Sequence, residues 1–107
     1  MPVAPDELFK TLADPTRRAI FEHLASEGEQ TVRALTERAG VSQPAVSKHL
    51  AVLKHSGLVR DRPEGRRTDY SARPEGLKPL IDWMSHYGAF WRERFDRLEA
   101  LLERMEE

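Results

Sequence analysis

The sequence predicts a mainly α fold with a small β wing: a winged helix-turn-helix extended by a long C-terminal helix. Three observations carry that expectation. Two short helix-patterned segments flank the turn-forming stretch Ala39-Gly40-Val41-Ser42, and a basic hairpin pattern follows them directly. From Leu77 to Met105, apolar residues then return every seven positions. At 107 residues the chain has the length of one domain. It carries no internal repeat, linker or low-complexity tract, and its parts are expected at about 31–56 (helix-turn-helix), 58–72 (wing) and 75–105 (final helix).

Pro5-Asp6-Glu7 opens a short first helix with Leu8, Phe9 and Leu12 on one face and acids at its positive end. Asp14-Pro15 restarts the chain, the aspartate as cap and the proline at the first helical position. This second helix points Ile20 and Leu24 inward and ends near Ser26, before Glu27-Gly28-Glu29. Thr31 caps a third helix, with Val32, Leu35 and Ala39 at helical spacing. Gly40 stops it in a left-handed conformation, Val41 pins the turn to the core, and Ser42 caps the next helix. That helix runs from Gln43 to about His55, tolerates Pro44 in its first turn and closes at Ser56-Gly57. Two strand-like runs, Leu58–Arg62 and Arg66–Ser71, flank a turn expected at Pro63-Glu64-Gly65.

With Val46, Leu50 and Leu53 turned inward, the helical period leaves Gln43, Pro44, Ser47, Lys48, Ala51 and Lys54 facing out. A helix presented this way fits the major groove of DNA. Gln43 can pair with an adenine edge, Ser47 and Lys48 can reach bases or phosphates, and Pro44 or Ala45 can touch a thymine methyl. Arg60, Arg62, Arg66 and Arg67 lie on the strands and tip of the wing, where arginine can follow phosphates or enter the minor groove. The charge distribution agrees. Residues 31–73 hold 9 basic and 4 acidic side chains, while residues 1–30 hold 3 and 6 and residues 74–107 hold 5 and 8. A cationic middle between acidic ends is a nucleic-acid footprint that the net charge of −1 conceals.

Other functions fare worse. Without cysteine there is no disulfide, thiolate metal site or cysteine nucleophile. His23, His49, His55 and His86 are scattered over separate elements, and no glycine-rich phosphate loop is present, so neither an enzyme nor a bound cofactor is expected. No apolar run reaches membrane-span length, and Met1–Asp6 lacks the basic and apolar regions of a signal peptide. A cytoplasmic protein with no membrane partner is the expectation. The alternative is a winged-helix module that binds another protein and not DNA. It requires apolar residues on the outer face of 43–55, where this sequence is polar and basic.

The stretches Asp14-Pro15-Thr16-Arg17-Arg18-Ala19-Ile20, Val41-Ser42-Gln43-Pro44-Ala45-Val46-Ser47-Lys48-His49-Leu50, Leu53-Lys54 and Ser56-Gly57-Leu58-Val59 resemble the ArsR/SmtB family of bacterial repressors. The similarity runs from about residue 6 to 102. It implies a homodimer that occludes a promoter, with an operator arranged as an inverted repeat, until a signal such as a small-molecule effector releases it. By position it implies that Gln43, Pro44, Ser47, Lys48 and His49 lie on the DNA-reading helix and Arg66 and Arg67 on the wing. Metal-sensing members carry cysteines on the helix that here reads Thr31-Val32-Arg33-Ala34-Leu35, which places this chain nearer the metal-independent branch. A second family metal site uses Asp and His on the C-terminal helix. Asp82 and His86 stand four apart here without evident co-ligands, and an ion pair is the plainer reading, so no metal is expected.

Read by sevens, the C-terminal segment places Leu77, Met84, Trp91, Leu98 and Met105 on one seam. Leu80 or Ile81, Tyr87, Phe95 and Leu101 or Leu102 fill the intervening positions. About 30 helical residues span roughly 45 Å, whereas a compact domain of this size has a radius of gyration near 13 Å. A second copy is the simplest cover, with Leu77, Leu80, Met84, Tyr87, Trp91, Leu98 and Leu101 as expected interface residues. Gly88 marks a candidate kink or close helix crossing, and the alternative to a dimer is a single amphipathic helix folded back on its own domain in two pieces. Trp83, Tyr87, Phe90 and Trp91 are the alternative lining of an effector pocket.

Overall fold

A computed structural model describes residues 3–106. Met1, Pro2 and Glu107 lie outside the described residues, and with them the first two positions of the segment read above as lacking a leader. The chain forms α1 (Pro5–Ala13), α2 (Pro15–Glu27), β1 (Gln30–Thr31), α3 (Val32–Ala39), α4 (Gln43–His55), β2 (Val59–Glu64), β3 (Arg67–Ala72), a 3₁₀ turn (Pro74–Leu77), α5 (Lys78–Ser85) and α6 (Gly88–Glu106).

Helix starts are set locally. Asp14 Oδ1 accepts the Arg17 amide at 3.0 Å, Thr31 Oγ1 accepts that of Ala34 at 3.1 Å and Ser42 Oγ accepts that of Ala45 at 3.3 Å. Each satisfies an amide that the first helical turn leaves unpaired. That contact also holds the Asp14 carboxyl below its usual range. Gly40 ends α3 in the left-handed conformation, φ 70°.

The helices wrap a core of Leu8, Ile20, Phe21, Leu24, Leu35, Val46, Leu50, Leu53, Leu58 and Val59. Thr11 and Ser56 are buried beside it and satisfy each other through a 2.6 Å hydroxyl bond. Gly76 packs so tightly on the turn after α4 that a Cβ there would fall 2.1 Å from the Gly57 carbonyl oxygen, so only glycine fits.

Three features depart from expectation. The hairpin gains a third strand, giving the antiparallel order β1-β3-β2, in which Gln30 pairs with Tyr70 and Thr31 with Asp69. Its turn is displaced. Glu64 pairs with Arg67, so the loop is Gly65-Arg66 and Pro63 lies within β2. That strand is an edge, where a missing amide costs no ladder bond. Lastly, the single helix expected over 75–105 is divided into a 3₁₀ turn, α5 and α6, with a break at His86-Tyr87 immediately before Gly88. The radius of gyration is 18.2 Å and the longest dimension 62 Å, because α6 runs clear of the body.

Candidate nucleic-acid interface

Helix α4 presents two chemically different faces. Val46, Leu50 and Leu53 are fully buried, while Gln43, Pro44, Ser47, Lys48, Ala51 and Lys54 are exposed. Half-buried Val41 packs against the core and fixes the angle at which α4 leaves the turn. His49 does not share the outer face. It is half-buried, with Nδ1 3.4 Å from Arg17 Nη1. Arg17 also donates from Nε to the Thr11 carbonyl (2.6 Å) and from Nη2 to that of Lys10 (3.2 Å). It thereby ties the end of α1 to α4.

The wing's basic residues divide into paired and unpaired sets. Arg62 bonds Glu29 at 2.7 Å, Asp69 at 3.0 Å and Glu64, contacts that hold its guanidinium charged and pull the Glu29 carboxyl below its usual range. Arg60 meets Glu75 at 3.0 Å, and Arg67 lies 3.6 Å from Asp69. Lys54 donates to Asp61 at 2.9 Å, which raises the lysine's pKa and lowers the aspartate's. Among the described residues, Lys48 and Arg66 form no salt bridge, and Arg66 occupies the exposed hairpin tip. Of the cations expected to meet DNA, these two retain the most uncompensated charge. Sequence reading did not foresee the acidic partners Glu29 and Glu75, which are brought to the wing by tertiary folding, nor the tie made by Arg17.

On the C-terminal segment, Leu77 and Leu80 rest half-buried on the core of their own chain, so intramolecular packing covers part of the expected seam. Met84, Tyr87, Trp91, Leu98 and Leu101 are exposed. Trp83, Met84, Tyr87 and Trp91 line an open hollow of about 400 Å³. Phe90, expected in that lining, meets the Trp91 edge at 5.5 Å and carries the Arg94 guanidinium over its ring at 4.1 Å. Asp82 accepts from Lys78 at 3.1 Å. Among the described residues no group of three His, Asp or Glu is placed to hold a metal ion, and no helix is long and apolar enough to cross a membrane.

The helix-turn-helix domain model matches residues 12–62. The HTH-type transcriptional regulator Rv2034 of Mycobacterium tuberculosis is 51% identical over 77 residues, spanning 72% of this chain and 71% of that protein. The arsenical resistance operon repressor of Escherichia coli is 44% identical over 102 residues, spanning 94% and 84%. An ArsR-like transcriptional regulator from Rhodococcus sp. RHA1 superposes with a TM-score of 0.70 at 30% identity, over 91% of both chains. The chain belongs to the ArsR family. This ArsR-family protein is thus a DNA-binding transcriptional regulator with a winged helix-turn-helix, and not an enzyme. The polar outer face of α4 agrees with DNA binding and leaves the interaction-module alternative without its apolar surface.

Proposed function

We propose that the regulator acts as a homodimeric repressor in the cytoplasm, the whole chain working as one unit that occupies an inverted-repeat operator and blocks the promoter. The observation that carries the reading is the exposed ridge Gln43, Pro44, Ser47 and Lys48 on α4, beside a wing whose tip is Arg66. Gln43 and Ser47 supply hydrogen bonds to base edges, Pro44 an apolar contact, and Lys48 and Arg66 charge for phosphates. Lys54 and Arg67 join them at the margin, their charge partly used by Asp61 and Asp69. His49 supports α4 through Arg17 and does not read bases itself.

Exposed apolar surface supports dimerisation. Apart from Phe9, every large apolar side chain exposed among the described residues lies between Ile81 and Met105. A contiguous patch of that kind marks an interaction surface. Two copies joined through Met84, Tyr87, Trp91, Leu98 and Leu101 carry two α4 helices, which can enter successive major grooves one turn apart. The effector that releases the operator is a small molecule of unassigned chemistry.

Selection of bound fragments from genomic DNA, followed by gel-shift titration, tests the reading. Recovered sites containing inverted repeats, with binding by a species of twice the chain mass, support it. A monomer that ignores every duplex at low ionic strength overturns it.

A further inference from the structure

A groove of about 400 Å³ runs between α1, the start of α2 and α4, lined by Glu7, Lys10, Arg17, Lys48, Ala51 and His55 together with buried Thr11 and Ser56. Its charge is graded. At the α4 C-terminal end, His55 Nε2 sits 3.7 Å from Glu7 and so has its own acid. Arg17 and Lys48 stand nearer the middle of α4, Arg17 against His49, with Lys10 on the facing helix between Glu7 and Thr11. Among the described residues neither Lys10 nor Lys48 forms a salt bridge, whereas most wing cations do. The Lys10 side chain makes no hydrogen bond there, while its backbone carbonyl is held by Arg17. The α1 terminus that carries Lys10 is therefore fixed relative to α4.

We infer that this groove is a second DNA-backbone contact, in which Lys10 and Lys48 hold phosphates of the strand flanking the reading helix. Arg17 acts as the positioning residue that locks α1 to α4 through the Lys10 and Thr11 carbonyls and His49. The assignment rests on the DNA-binding reading above and adds residues outside both the helix-turn-helix and the wing. Two observations choose duplex DNA as the occupant. The groove shares Lys48 with the exposed ridge of α4, so it continues that surface without a break. Its uncompensated charge, on Lys10 and Lys48, is positive, which complements a phosphate chain and repels a basic peptide.

Fluorescence-anisotropy titration of the full chain against a duplex at a series of salt concentrations tests the inference. Lys10→Ala is expected to lower the slope of log K against log salt by about 0.9, the release accompanying one phosphate contact, and to do so equally on a scrambled duplex. Lys10→Arg, which keeps the charge, is expected to retain the wild-type slope. Lys78→Ala removes a cation already paired with Asp82 and is expected to change nothing. Wild-type binding with an unaltered slope in Lys10→Ala overturns this inference alone, as does a Lys10→Arg slope that falls as far as the alanine variant's. A wild-type chain that binds no duplex removes the parent reading as well.

Discussion

In the winged body, from α1 to β3, apolar side chains on five elements converge until Leu8, Val46, Leu50, Leu53 and Leu58 are fully buried. In the arm beyond Leu80 the supply of large apolar residues is at least as rich, yet Trp91 remains 55% and Met105 73% exposed. The two regions differ in where the covering surface comes from. The helices of the body cover one another, whereas α6, about 28 Å long, has α5 as its main neighbour in its own chain. Stability of the body is thus a property of one molecule, whereas in the proposed dimer order in the arm would depend on a second copy.

That contrast can be broken at either end. The largest effect is expected from Trp91→Glu, which places a charge in the centre of the arm's seam. Light scattering should report the mass of one chain, and the thermal midpoint should stop depending on protein concentration. A variant that retains twice the chain mass would relocate the interface. Leu50→Ala acts on the body, where the side chain is 0% exposed and its loss leaves a cavity. A loss of about 2–5 kcal/mol in denaturant unfolding is expected, with no change in the contacts that α6 makes. Gln43→Ala should weaken binding to the specific site by about 1–3 kcal/mol while leaving mass and unfolding unaltered, which separates reading from assembly.

Acid provides a milder probe. Asp14, Glu29, Asp61 and Glu75, held below their usual range by backbone amides or basic partners, all belong to the body or its margin. Carboxyls depressed in the folded state stabilise it above their unfolded pKa, and that contribution disappears as pH falls through the folded value. The midpoint of a Trp91→Glu monomer is therefore expected to decline from about pH 5 downwards, and high salt should blunt the decline because none of these groups is buried. An acid-insensitive midpoint would show the wing's ion pairs to be idle. The smallest change is Gly88→Ala, at the first residue of α6, where a Cβ meets only the Arg92 guanidinium at 3.5 Å. A gain of up to about 1 kcal/mol in the arm is expected, read as a higher concentration-dependent midpoint.

What the sequence disclosed follows the range of the interactions involved. Asp14, Thr31, Ser42 and Gly40 act within three or four residues, so each helix boundary they set was legible. The outward face of α4 was legible for the same reason, since a 3.6-residue period needs no partner to declare itself. Strand β1 was not, because two residues become a strand only where β3 offers an edge. Nor was the paired state of Arg60 and Arg62, whose acids stand 15 and 33 positions away. The break before α6 was half-visible. Gly88 marked the place, but the separation also depends on α5 staying with the body, where Trp83 meets Phe9 edge-on at 5.3 Å.

The bond from Arg62 to Glu29 joins the β-hairpin to the segment immediately ahead of α3. Mechanically it is a strut. With the β1–β3 pairing it ties the hairpin to the start of α3, which packs on α4, so in the proposed complex the wing and the reading helix would move as one.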